Sequence, residues 1–129
     1  MCNVVISLDN ICSHYKINFY PKIKREVVEP PTILRCGIAR GSVYSVGNAE
    51  DYVGLCINIA SRLQKLNSFN FCVSRKGFNF EKYMIKEALS TYSLKSIALR
   101  GIENNQLIWC RKKEFNKLPK EELLLFSDP

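Results

Sequence analysis

Asp51-Tyr52-Val53-Gly54-Leu55-Cys56-Ile57-Asn58-Ile59-Ala60-Ser61-Arg62-Leu63-Gln64 is the stretch on which the reading of this chain turns. From Leu55 to Leu66 the apolar residues Leu55, Cys56, Ile59, Ala60, Leu63 and Leu66 recur at three- and four-residue steps, the spacing of an amphipathic helix with one buried face. Asn58 and Arg62 lie off that stripe, four residues apart, and so project from the same side. An Asn amide donates and accepts at fixed angles, and a guanidinium offers a fork of donors that matches phosphate oxygens. Together they can hold a sugar and a phosphate. The same spacing also describes a plain solvated face, and spacing alone does not separate the two.

Outward from this helix the pattern continues in both directions. Val4, Leu8, Ile11, Cys12 and Tyr15 mark a first amphipathic helix from about residue 3 to 19, which Pro21 is expected to end. Glu29-Pro30-Pro31 is a stiff connector, because the second proline disfavours helical geometry at the first. Ile33 to Ala39 reads as a strand buried on both faces, and Gly41 permits a turn into Ser42 to Val46, so this pair is expected to form a hairpin. After the turn-prone Gly47-Asn48-Ala49-Glu50 and the central helix, Phe69 to Ser74 is a strand and Glu81 to Leu89 a helix. Leu94 to Leu99 and Gln106 to Lys112 form a terminal hairpin, and Glu121 to Phe126 reads as a short helix. The order predicts an α+β domain with a mixed or antiparallel sheet and helices packed on one face.

Composition bounds what such a domain does. The 129 residues are 47% hydrophobic and 24% charged, enough for one core, and a second full domain does not fit. Apolar runs such as Val4 to Leu8 fall far short of the roughly 20 residues of a membrane-spanning helix. Met-Cys-Asn does not open a signal peptide, so a cytoplasmic location is expected. The six cysteines include no CxxC pair and most sit in apolar segments, which suits reduced core thiols. His14 has no Cys or His at metal-ligand spacing, so no zinc site is expected. A net charge of +7 favours anionic partners. The basic clusters at Lys22 to Arg25, Arg75-Lys76 and Arg111 to Lys113 read as solvated rims, and nucleic acid is not the expected partner.

The central stretch, with Cys36-Gly37-Ile38-Ala39-Arg40-Gly41-Ser42-Val43 before it and Ala98-Leu99-Arg100-Gly101-Ile102 after it, resembles the catalytic domain of class III nucleotidyl cyclases. The order matches as well as the letters: a Gly-Ile strand, a Gly turn, a Gly before a helix bearing Asn-x-Ala-Ser-Arg-Leu, a Val-Ser strand at Val73-Ser74, and a Leu-Arg-Gly-Ile hairpin. The resemblance covers about residues 33 to 111, with 1 to 20 as the helix preceding the Gly-Ile strand and 119 to 129 as a tail. It implies the second half of a ferredoxin-like cyclase domain, making a 3′,5′-cyclic nucleotide and pyrophosphate from a nucleoside triphosphate. Asn58 would orient the ribose, and Arg62 would stabilise charge on the phosphates as the 3′-hydroxyl attacks. Asp51 matches a position that reads the base edge; in a second alignment it belongs to a structural Asp-Tyr pair. The short Asp-Tyr-x-Gly form also resembles pyrimidine cyclases of bacterial antiphage defence, whose products are cyclic UMP or cyclic CMP. The base stays open.

The family's two metal-binding aspartates are not found in the sequence. Asp9 imitates one, yet only 23 residues separate it from Ile33, too few for the intervening elements, and helical spacing makes it an exposed helix residue. The resemblance thus implies Mg²⁺ or Mn²⁺ in the complete enzyme, with ligands outside this chain, and a partner: a metal-bearing first half or a homodimer mate. Alone the chain is expected to turn over little or no nucleotide. The alternative is a degenerate, non-catalytic module that binds a nucleotide or a protein through the same surface.

Overall fold

A computed structural model describes residues 2–48 and 50–129. Helix α1 (Cys2–His14) runs through a π-helical turn at Tyr15–Phe19 into the short α2 (Tyr20–Ile23). Pro21 therefore does not stop the helix. It sits in the first turn of α2, where a missing N–H costs nothing, and the π turn absorbs the shift in register. Then follow β1 (Cys36–Ile38), β2 (Tyr44–Val46), β3 (Asp51–Val53), α3 (Leu55–Gln64) and β4 (Phe71–Ser74). The chain ends with α4 (Phe80–Tyr83), α5 (Lys86–Leu89), β5 (Tyr92–Ile97), β6 (Gln106–Arg111), α6 (Lys112–Asn116), α7 (Lys120–Leu123) and β7 (Phe126–Ser127).

Five strands form one mixed sheet in the order β1-β4-β6-β5-β7, and β2 with β3 form a separate two-stranded ribbon. The expected α+β class with a mixed sheet is what the chain adopts. The expected hairpin of Ile33 to Ala39 with Ser42 to Val46 is not made. Cys36, Gly37 and Ile38 instead pair in parallel with Phe71, Cys72 and Val73, while Tyr44 to Val46 fold back on Val53 to Asp51. This strand is intermediate in burial rather than buried on both faces and found partners 35 residues away, and Gly47 and Asn48 lie in the turn after Val46.

Helices cover both faces of the sheet rather than one. Alternation along β4 sends Phe71 and Val73 to one side, with Val5 and Cys12 of α1, Tyr92, Phe80 and Trp109. Cys72 points to the other side, with Ile59 and Leu63 of α3, Ile108 and Cys110. All four residues of β4 are buried, as expected of a central strand enclosed by two layers. The expected helix from Glu81 to Leu89 is broken at Met84, whose backbone is extended. Phe80 and Met84 are both buried, and Phe80 stacks on Trp109 at 5.7 Å, so sinking these side chains in the core outweighs an unbroken helix. Glu121 to Phe126 likewise divides. Phe126 leaves the helix, adds β7 beside Ile97 and packs on Phe69 and Phe115.

Asp9 is on a helix, as its spacing predicts, but it is not exposed. Its side chain is 15% accessible; it pairs with Arg111 and accepts from the Tyr92 hydroxyl. Arg111 also donates to the Asp9 carbonyl at 2.9 Å and to Glu114 at 3.0 Å, and its guanidinium lies over the Phe71 ring. Glu114 in turn accepts from the Asn70 amide at 3.1 Å. Arg111 is thus no rim residue; it ties α1, β6, α6 and the entry to β4 into one network. Burial lowers the Arg111 pKa and raises that of Glu114, and their mutual attraction opposes both shifts.

At Gly37 strand β1 and helix α3 approach closely. A Cβ there would lie 2.5 Å from the Gln64 amide nitrogen and 2.6 Å from the Ala60 carbonyl oxygen. Both are helix backbone, which cannot swing aside. Gly37→Ala is therefore expected to destabilise the chain by about 3 kcal/mol or more, at the upper end for overpacking, read as a drop in the urea midpoint. An unchanged midpoint would show that α3 does not rest on β1.

The described cysteines are free thiols. Burial pushes Cys12 from 9.0 up to about 11 and Cys110 from 9.0 up to about 12, while Tyr92 rises from 10.0 to about 12 for the same reason. Each raised group favours the folded state while neutral. The stabilisation is whole below pH 9 and disappears as pH climbs through the folded values toward 12. Chemical denaturation at a series of pH values should show stability falling steeply across that window. A flat profile there would contradict the burial of these groups.

Candidate functional site

The central helix starts where its glycine allows. Gly54 lies on extended backbone, and a Cβ there would meet the Ser42 carbonyl oxygen at 2.6 Å, so the Ser42-Val43 segment packs directly against the helix start. Its carbonyl accepts from the Ile57 and Asn58 amides at 3.1 and 3.3 Å, opening the helix. With Ile59 and Leu63 at 2% and 1% accessibility facing the sheet, Asn58 and Arg62 are turned outward. This is the arrangement that their spacing predicts.

Asn58, Arg62 and Lys65 line one shallow depression of about 200 Å³, closed on its far side by Arg100, Gly101 and Ile102 of the β5–β6 turn. Asn58 is exposed, and Arg62 is half-buried. Gly101 adopts φ +79, and a Cβ on it would stand 3.8 Å from a terminal nitrogen of Arg62. Glycine thus serves both the left-handed turn and the space beside the guanidinium. Three cations meet here, and no carboxylate is among the lining residues. Such a basin attracts a polyanion, with Asn58 supplying a neutral donor and acceptor at its edge.

Asp51 is not among the residues that line this depression. It is exposed at the start of β3, paired in register with Val46, on the hairpin that leads into α3. The structure therefore unites Asn58 and Arg62 and leaves Asp51 apart from them. Lys65 and Arg100 were not singled out by sequence reasoning. Lys65 sits one residue past the turn that carries Arg62, and Arg100 stands in the Leu-Arg-Gly-Ile hairpin; only the packing of that hairpin beside α3 brings both to the same place.

Among the described residues no cluster for a divalent metal forms. The Asp9 carboxylate is taken up by Arg111 and Tyr92, and among the described residues no three His, Cys, Asp or Glu side chains converge. No helix among the described residues is long and apolar enough to cross a membrane. Compared with protein-family models, with curated proteins and with solved structures, the chain matches none.

Proposed function

We propose that this chain is one portion of a class III nucleotidyl cyclase, contributing the ribose and phosphate side of a site that a metal-bearing half completes. The observation that carries this reading is the basin in which Asn58, Arg62 and Arg100 meet without a carboxylate. In it Asn58 orients the ribose, and Arg62 neutralises charge that builds on the phosphates as the 3′-hydroxyl attacks the α-phosphorus and pyrophosphate leaves. Positive charge placed where negative charge develops lowers the barrier of such a step. Arg100, across the depression, adds positive charge for the departing phosphates.

Two features support a partner. Strand β1 is at the edge of the sheet, with β4 on one side only. The β2–β3 hairpin and its approach expose Tyr44 (68%), Tyr52 (58%), Val53 (52%) and Val46 (49%), a concentration of large apolar side chains suited to burial against a second polypeptide. Asp51 is on that same hairpin, so any reading of the base would come only once the partner is seated. The short Asp-Tyr-Val-Gly segment resembles that of the pyrimidine cyclases, whose products are cyclic UMP or cyclic CMP, and the base itself stays open in this reading.

Titration of the isolated chain with each of the four nucleoside triphosphates should shift the amide signals of Asn58, Arg62 and Gly101, and Arg62→Ala should weaken that binding about tenfold. With a metal-bearing cyclase half and Mg²⁺ or Mn²⁺ added, pyrophosphate release is expected, falling at least about a hundredfold in Arg62→Ala. Equal release by both proteins would overturn the assignment. Binding without turnover would instead select the non-catalytic module.

A further inference from the structure

A second cavity, of about 510 Å³, opens at the N-terminal end of α3. It lies beyond the C-terminal ends of the parallel strands β1 and β4, beneath the first turn of the helix. Its wall is formed by the loop after β1, including Arg40 and Ser42, by Gly54 and Cys56 at the helix start, and by Ser74 and Lys76 after β4. It shares no lining residue with the basin of Asn58 and Arg62, so the two spaces are separate.

Four features of the cavity converge on one ligand chemistry. Helix α3 has ten residues, and no side chain among the described residues caps its N-terminus. Its first amides, those of Leu55 and Cys56, precede the first helical hydrogen bond and carry the positive end of the helix dipole. Ser74 is 1% accessible, and its hydroxyl has no hydrogen-bond partner. Alternation along β4 puts it on the Cys72 side, under α3, and it lines the cavity. A buried hydroxyl left without a partner costs free energy that a ligand oxygen would recover. Arg40 and Lys76 add two cations at the mouth, and no carboxylate is among the lining residues. Finally, Ala39, Leu55 and Ile59 give the space an apolar side, with Tyr44 at the rim.

We propose that this cavity binds a small organic phosphomonoester, with its phosphate on the α3 N-terminus and the Ser74 hydroxyl, and its carbon body on the apolar side. A tetrahedral anion accepts from the Leu55 and Cys56 amides and from Ser74 at once, while Arg40 closes over it. Gly41 and Gly77 keep the mouth open: a Cβ on Gly41 would be 3.0 Å from that of Cys56, and Gly77 holds φ +84 beside Arg40. The inference does not depend on the cyclase reading, because it uses none of the residues of that site.

Amide-resolved NMR titrations of the chain with inorganic phosphate, phenyl phosphate and phenol test it. Saturable shifts at Leu55, Cys56, Ser74 and Gly77 are expected with both phosphates, tighter with phenyl phosphate and absent with phenol. Ser74→Ala should raise the Kd for phenyl phosphate about tenfold. It should also leave the thermal midpoint unchanged or higher, since the hydroxyl has no partner in the free protein; a structural hydroxyl would lower it. Arg40→Gln should weaken binding and flatten its salt dependence. Shifts that map instead to Arg62 and Arg100, or a Kd that Ser74→Ala does not change, would overturn the proposal.

Discussion

The missing side chain at Gly37 governs how this molecule is put together. With no Cβ in the way, the backbone of α3 rests directly on β1, at a separation that any other residue would prevent. Once the helix is held there, Ile59 and Leu63 must enter the layer above Cys72, Ile108 and Cys110. Asn58 and Arg62 must then face outward toward the β5–β6 turn, and the helix N-terminus must stand over the ends of β1 and β4. Both cavities beside α3 are consequences of that one contact. Gly54 extends it, since the chain passes the start of the helix at a distance that a side chain would fill.

The opposite face is held by charge. Asp9, Arg111 and Glu114 are half-buried and mutually bonded, and they join residues 102 positions apart in the chain. Burying an ion pair is costly, and it is sustained here because further hydrogen bonds from Tyr92 and the Asn70 amide satisfy the carboxylates. Other carboxylates are also engaged: Glu81 with Arg75, Glu122 with Ser68, and Asp128 with Lys95. Much of the acidic minority is thereby spent on holding elements together.

How far the sequence could be read depended on where each element finds its partners. Helix α3 was legible almost to the residue, because its apolar stripe, its preceding glycine and its length agree. The terminal hairpin was equally clear, since β5 and β6 follow one another in the chain and pair with each other. The outward pairing of Asn58 with Arg62 followed from helical geometry. The Cys36–Ile38 strand was seen, but its neighbour was not, because parallel pairing with β4 joins segments 35 residues apart across β2, β3 and α3. Arg111 and Asp9 were read as surface charges; nothing local marks two residues so far apart as a buried pair. Arg100 and Ser74 were visible only as letters of short motifs, and the space each one faces is created by other parts of the chain.

By itself, then, the sequence determined the elements whose signals are local: the periodicity of α1 and α3, the turn glycines, the terminal hairpin and an α+β class. These follow from contacts between residues three, four or two positions apart. The tertiary structure alone decided that helices cover both faces of the sheet, that Asp9 is consumed by Arg111, that the Asn58 basin is lined by three cations, and that a buried serine faces an open cavity. Each of these depends on distances between segments remote in the chain, which no local pattern encodes and which the close packing at Gly37 brings about.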